Sequence, residues 1–341
     1  MMTMNRILDV TSLFKASDAL RGHDTWAVFT HRKSDGDAVG SATALFEAGI
    51  NAGKNVSWFS PDEKLPETYR YLAHFEDFRT CEDFTFKDDG TLYVFLDCAT
   101  EIRSVSGYDV SANINSLNID HHEDNSLYGR VNCVYGLASS TCEMLYRVFM
   151  AGNWEITPRI AESLYTGIFT DTGGFSFSNT TQSTHNIAGA LITLGVEPSV
   201  MADRIRQNKN PADFQLWARA LSRVQVFGPG NIFAVSAVFA DDFREAGADM
   251  TGTEGLSQMF MTLRGVKLAV VATEYPDGTI RLSVRSREGS PFGAGEFARR
   301  FGGGGHERAA GCPFDVQADE AVPRLRDEIM KAYHERGNPH Q

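Results

Sequence analysis

Aspartate and histidine recur in four short segments of this 341-residue chain. The first, T-H-R-K-S-D-G-D, carries His31, Asp35 and Asp37. The second is Asp97, which closes T-L-Y-V-F-L-D, and the third is Asp120-His121-His122, which closes S-L-N-I-D. The fourth is Asp171, in G-I-F-T-D-T-G-G-F. Oxygen-dominated ligation with some imidazole suits Mn²⁺ or Mg²⁺, and a set without thiolates speaks against structural zinc. Six or so ligands exceed the needs of one ion that keeps an open position. They suit a pair roughly 3.5–4 Å apart that shares a carboxylate, activates a water and clamps the oxygens of a phosphoryl displacement. Each segment also has a plainer reading. An aspartate after a strand is often a helix cap or turn residue, a His-His pair is often a surface or core accident, and Asp171 can open a turn at Gly173-Gly174. Their joint occurrence at element ends in one half of the chain favours the metal site.

For these side chains to meet, the elements carrying them must end at one place. Apolar runs at 25–30, 55–60, 91–97 and 116–120 read as strands, and helical patterns at 37–49, 138–152, 158–171 and 184–195 interleave with them. That alternation argues a parallel α/β sheet, whose ligands sit beyond the carboxyl ends of the strands. Further helical patterns cover 198–207 and 211–221. After them the texture changes to strands at 224–228, 231–240, 266–274 and 279–286, with one helix around 253–263 and a closing helix at 319–334. The expected fold class is therefore α/β: an N-terminal parallel-sheet domain, then a smaller α/β domain of mixed sheet, with the active site in the cleft between them. The length fits two domains. The boundaries expected are 1–205 for the first, 206–225 for a linker and 226–341 for the second.

Composition narrows the function. Thirty-two basic against 44 acidic residues give a net charge of −12, which argues against gripping long duplex nucleic acid through a basic face. A small phosphorylated substrate held by cations remains compatible, because divalent ions invert the local charge. No apolar run approaches the ~20 residues that span a bilayer, so no membrane association is expected. The N-terminal text shows no signal-peptide core. Five cysteines without a C-x-x-C pair fit a reduced, cytoplasmic chain.

H-x-x-x-D-G-D, a lone aspartate after a strand, D-H-H and D-T-G-G-F, in this order, resemble the DHH phosphoesterase superfamily. S-S-T-C-E-M-L-Y (139–146) and the text around Asp171 (164–181) add to the likeness. G-G-G-G-H-E-R-A-A-G (302–311) is similar to the glycine-rich motif of the DHH-associated C-terminal domain. The resemblance covers nearly the whole chain. By length and domain pair it lies nearest the nanoRNase group, bifunctional oligoribonucleases that also dephosphorylate 3′-phosphoadenosine 5′-phosphate (pAp). It implies that His31, Asp35 and Asp97 hold one divalent ion and that Asp37, Asp97, His121 and Asp171 hold the other, with Asp97 bridging. It further implies that His122 faces the scissile phosphate and that Asp120 orients the histidines. Mn²⁺ is the expected metal, with Mg²⁺ the alternative. Two departures stand out: Lys33-Ser34 occupies the place where the family often has a proline before D-G-D, and Glu123 adds negative charge beside D-H-H.

Within 281–308, six arginines face three glutamates, a local charge of +3 in an acidic chain. Arginine presents a planar fork to phosphate, and consecutive glycines let backbone N–H groups approach it. A flexible hinge beside a solvated helix is the plainer reading. The resemblance favours a nucleotide-phosphate clamp of Arg285, Ser286, Gly303, Gly304, Gly305 and His306. Phe292, Phe297 and Phe301 are expected in the core rather than stacked on bases. The function expected is hydrolysis of short oligoribonucleotides to mononucleotides, with pAp to AMP as a second reaction. Phosphodiesterases for cyclic dinucleotides or their linear products are the nearest rival. A RecJ-type exonuclease, a pyrophosphatase and a catalytically silent nucleotide-binding module stand further off. Short RNA and nucleotides are the expected partners, and a homodimer stays open.

Overall fold

Apolar runs bounded by polar turns become strands in the computed structural model, which describes residues 8–81, 84–87, 90–105, 115–206, 210–305 and 307–336. The chain divides into two units, Met1–Asn208 and Lys209–Gln341. The first runs α1 (Val10–Gly22), β1 (Thr25–Phe29), α2 (Gly36–Asn51), β2 (Asn55–Ser60), β3 (Phe78–Thr80), β4 (Leu92–Leu96), β5 (Asn115–Asp120) and β6 (Val131–Val134). Four helices follow: α3 (Thr141–Ala151), α4 (Pro158–Asp171), α5 (Gln182–Thr193) and α6 (Pro198–Arg206).

The six strands pair in the order β3-β2-β1-β4-β5-β6, every neighbouring pair parallel. β4 reads Leu-Tyr-Val-Phe-Leu and is buried at every position, because a parallel sheet is covered on both faces. Strands 1 to 3 step one way across the sheet and strands 4 to 6 the other. The reversal falls between β1 and β4, and a crevice opens at such a point beyond the carboxyl ends. The loops that leave β1 and β4 there carry His31, Asp35 and Asp97.

α2 is buried from Gly36 through Gly49, as its sequence of small and apolar residues on all sides requires. It packs against α4 at very short range. A Cβ added to Gly40 would lie 2.6 Å from the Ser163 carbonyl oxygen, and one at Gly167 would lie 2.6 Å from Asp37 Oδ1. Glycine at these two positions lets the helices approach until the first turn of α2 and the last turn of α4 reach the same sheet edge.

The second unit contains α7 (Pro211–Ser222), β7 (Gln225–Phe227), β8 (Phe233–Val238), α8 (Ala240–Ala246), α9 (Leu256–Phe260), β9 (Leu268–Glu274) and β10 (Ile280–Ser286). α10 (Ala294–Arg299), β11 (Gly304–Gly305), β12 (Ala309–Pro313) and α11 (Ala321–Glu335) complete it. Its sheet is mixed, in the order β11-β12-β10-β9-β8-β7, with β8 and β9 parallel and the other pairs antiparallel. Residues 206–225, expected as a linker, include α7, whose Leu216 and Ala220 are buried in a cluster with Ala234 and Val238 of β8. The helix expected around 253–263 is a 3₁₀ turn, Met250–Thr253, followed by the short α9, broken at Gly255 with φ 85°. Phe292 and Phe297 are buried in the core and Phe301 packs against it. Among the described residues no helix is long and apolar enough to cross a membrane.

Candidate metal centre

Asp97 follows β4 at φ 60°, in the left-handed region, which a residue with a side chain occupies only when its surroundings hold it there. Its two carboxylate oxygens face different partners. Oδ2 lies 3.3 Å from His31 Nε2, and Oδ1 lies 3.6 Å from His121 Nε2. His31 Nε2 is also 3.9 Å from Asp35 Oδ1. His121 Nε2 is 3.8 Å from Asp37 Oδ2 and 3.5 Å from Asp171 Oδ2. Ligand atoms within 4.8 Å of one another form three groups: His31, Asp35 and Asp97; Asp37, His121 and Asp171; and Asp97, Asp120, His121 and His122. The structure thus brings all six metal-ligand candidates together.

The donor set fits divalent cations by its orientation as well as its chemistry. His31 Nδ1 lies 2.9 Å from the Arg32 carbonyl oxygen and His121 Nδ1 lies 3.3 Å from that of Ala138. With Nδ1–H donated to a backbone carbonyl, each ring turns Nε2 into the acidic cluster, the arrangement that metal-ligating histidines adopt. Asp35 keeps its plainer role too: it caps α2, its Oδ1 accepting the N–H groups of Asp37 and Ala38.

The α3 start holds the acids in place. Both oxygens of Asp37 accept backbone N–H groups there, Oδ2 from Thr141 at 2.6 Å and Oδ1 from Cys142 at 2.9 Å, where the helix N-terminus favours negative charge. The Thr141 hydroxyl donates to Asp97 Oδ1 at 3.0 Å. Ser140 caps the helix, and the buried Glu143 accepts from the Ser139 N–H and hydroxyl. Asn179 donates to the carbonyls of Asp171 and Ser139, tying the end of α4 to this turn. Asp120, fully buried, accepts from the backbone N–H of His121 and pairs with His122 Nδ1 at 2.7 Å, while its Oδ2 accepts from Asn125.

So many acids at one point perturb one another. Burial, joined by the charges of Asp97 and Asp171, pushes the Asp37 carboxyl well above the ordinary carboxylate range. Burial lifts Asp171 to about 7; His121 pulls against this and Asp35 adds to it. Burial works against ionisation of Asp97 as well, yet the His31 bond and the three neighbouring histidines hold it far below the usual range. Desolvation disfavours the imidazolium of His31, but Asp97 and Asp35 raise it to about 9; His121 rises against the same opposition to about 10 through Asp171, Asp37 and Asp97. In His122 the Asp120 bond outweighs burial and raises the pKa. Without metal, protons fill the place of cations, and divalent ions would relieve the same repulsion.

In the second unit Arg285 is half-buried on β10, and burial lowers its pKa. Its Nη1 donates to the Val284 carbonyl, and among the described residues it meets no carboxylate. Ser286 braces the same region: its hydroxyl donates to the Glu307 carbonyl and accepts the Ala294 N–H. Gly303 donates its N–H to the Ala298 carbonyl and leaves room for the passing backbone of Gly311 and Cys312. Gly304 and Gly305 pair with Gly311 and Ala310. His306 lies outside the described residues.

The sequence reading missed Thr141, Cys142 N–H, Asn125 and Asn179. A helix-capping pattern in Ser139-Ser140-Thr141 was the available signal for the first two. Comparison with known proteins identifies the family. The model for the N-terminal domain of the DHH family matches residues 25–168, and that for the DHHA1 domain matches 231–335. The bifunctional oligoribonuclease and PAP phosphatase NrnA of Thermus thermophilus is 31% identical over 310 residues, 89% of this chain and 90% of that protein. The protein of the same name from Bacillus subtilis is 27% identical, covering 92% and 96%. A crystal structure of an exopolyphosphatase-related protein from Bacteroides fragilis shares the fold, with a TM-score of 0.89 over 98% of this chain and 99% of that one at 21% identity. The chain therefore belongs to the DHH phosphoesterase family, with a DHHA1 domain following its DHH domain.

Proposed function

We propose that this phosphoesterase hydrolyses short oligoribonucleotides to mononucleotides and pAp to AMP, using two divalent ions with Mn²⁺ preferred. The observation that carries the two-ion reading is Asp97, whose opposite oxygens face His31 and His121 at 3.3 and 3.6 Å. His31, Asp35 and Asp97 are the ligands proposed for one ion, and Asp37, Asp97, His121 and Asp171 for the other. Such a pair supplies Lewis acidity and lowers the pKa of water at the reacting phosphate. The substrate class rests on the two NrnA relatives, which match both domains.

The remaining work falls to this chain's own side chains. Asp120 holds the His122 ring through Nδ1 and favours its protonated form, which suits hydrogen bonding to a phosphate oxygen or proton donation to the departing ribose oxygen. Arg285, charged and without an acidic partner among the described residues, offers its guanidinium to a substrate phosphate. Ser286 and the glycines at 303–305 support that strand and turn.

A panel assay with Mn²⁺ tests the reading: pAp, pApA, a five-residue RNA, cyclic di-AMP and a long single strand. Turnover of the first three well above the last two is expected. Preference for the long strand or the cyclic dinucleotide would overturn it.

A further inference from the structure

The loop between β1 and α2 carries His31 and Asp35 through a conformation that is costly to maintain. Lys33 sits at φ 60°, where a side chain is tolerated only if neighbouring groups hold it. The holding group comes from another strand. Asp62, two residues beyond the end of β2, accepts the Lys33 N–H on Oδ1 at 2.9 Å and the Ser34 N–H on Oδ2 at 2.8 Å. Consecutive backbone N–H groups in a left-handed turn form a concavity that receives an anion, and here the anion is a carboxylate of the chain itself. Asp62 is in turn set by its own N–H, which donates to the Ser60 hydroxyl at the buried end of β2. Ser34 completes the brace. It is 3% exposed, and its hydroxyl donates to the His31 carbonyl at 2.8 Å and lies 3.3 Å from that of Ser60.

We infer that Asp62 is a positioning residue for one of the two metal sites: through the Lys33 and Ser34 amides it sets His31 and Asp35 against Asp97. The other proposed site joins the shared Asp97 to Asp37 on α2, His121 just after β5 and Asp171 at the end of α4, and Asp37 is held by the α3 start rather than by this loop. Loss of Asp62 therefore separates the two ions. The inference rests on the two-ion reading above.

Asp62→Asn keeps the shape but can accept only one of the two N–H groups, because its amide nitrogen is a donor. Asp62→Ala removes both. Metal-stripped unaltered protein, both variants, His31→Ala and His121→Ala are titrated with Mn²⁺, followed by calorimetry and electron paramagnetic resonance. Melting temperatures are recorded without metal. The expected result is two ions on the unaltered protein. D62N and D62A should weaken one of them at least tenfold, the same one as H31A, and leave the one sensitive to H121A within threefold. For D62N, kcat should return to within threefold of the parent at saturating Mn²⁺, and its metal-free melting temperature should lie within a few degrees of the parent's. Unchanged binding, equal weakening of both ions, or weakening of the H121A-sensitive ion overturns the role of Asp62. Uptake of only one ion by the unaltered protein would instead defeat the two-ion reading. Asp62 would then still be decided by whether D62N and H31A weaken that ion together.

Discussion

Gly167→Ala adds one methyl group between α2 and α4, and its consequences follow from the distances. The new Cβ would stand 2.3 Å from Cys142 Sγ and 2.6 Å from Asp37 Oδ1, where ordinary contact begins at 3.4 Å, so Cys142, Asp37 or α4 must yield by 0.8 to 1.1 Å (3.4 − 2.6 and 3.4 − 2.3). Alanine returns ~1 kcal/mol of helix propensity at this position, while overpacking a buried contact costs about 1–3 kcal/mol. The net loss of stability is thus ~0–2 kcal/mol, a modest fall in melting temperature. Catalysis should suffer far more, since a misplacement near 1 Å costs about 100-fold in rate. The assay pairs kcat/KM on a short 5′-phosphorylated oligoribonucleotide with the thermal melt of the same sample. Gly189→Ala on α5 is the control: nothing lies within 4 Å of its Cβ, so it should keep full activity. Cys142 also crowds the Gly167 site. Activity of G167A within threefold of the parent, or its restoration by Cys142→Ala, would refute the claim that Asp37 is the group displaced.

Asp97→Ala should abolish turnover on every substrate in the panel while the melting temperature shows a folded protein; residual turnover on any one substrate argues against a shared carboxylate. Arg285→Ala should raise KM for 5′-phosphorylated oligonucleotides by tenfold or more and change the rate on a small phosphodiester little; equal loss on both would contradict a substrate contact. The metal-free protein should lose stability with rising pH. His31 and His121 bind protons more tightly folded, at about 9 and about 10 against 6.5 unfolded. Their contribution is complete below pH 6.5 and is lost as pH climbs through about 9 to 10. A melting temperature in chelator that stays flat or rises across that range would contradict the assignment. Metal uptake must displace the same protons, so Mn²⁺ affinity should rise with pH.

The cluster of candidate metal ligands was legible because its chemistry sits in short motifs at the ends of well-patterned strands. Runs such as 25–30 and 91–97 announce buried parallel strands, and a parallel sheet delivers its loops to one edge. The supports were not legible, since they join distant segments. Asp62 meets Lys33 across 29 residues and Thr141 meets Asp97 across 44, and no spacing within a motif encodes such pairs. Short elements also escaped. β6 has four residues and β12 reads Ala-Ala-Gly-Cys-Pro, too few and too small to show a period. The partners of the Ser286 hydroxyl, Glu307 and Ala294, were not legible either. Hydroxyl partners are set by tertiary packing.

Manganese anomalous diffraction from crystals grown with Mn²⁺ tests most directly whether Asp97 stands between two ions. Two peaks are predicted, both within coordination distance of Asp97, one reached by His31 and Asp35 and the other by Asp37, His121 and Asp171. A single peak, or two that do not share Asp97, would contradict the account.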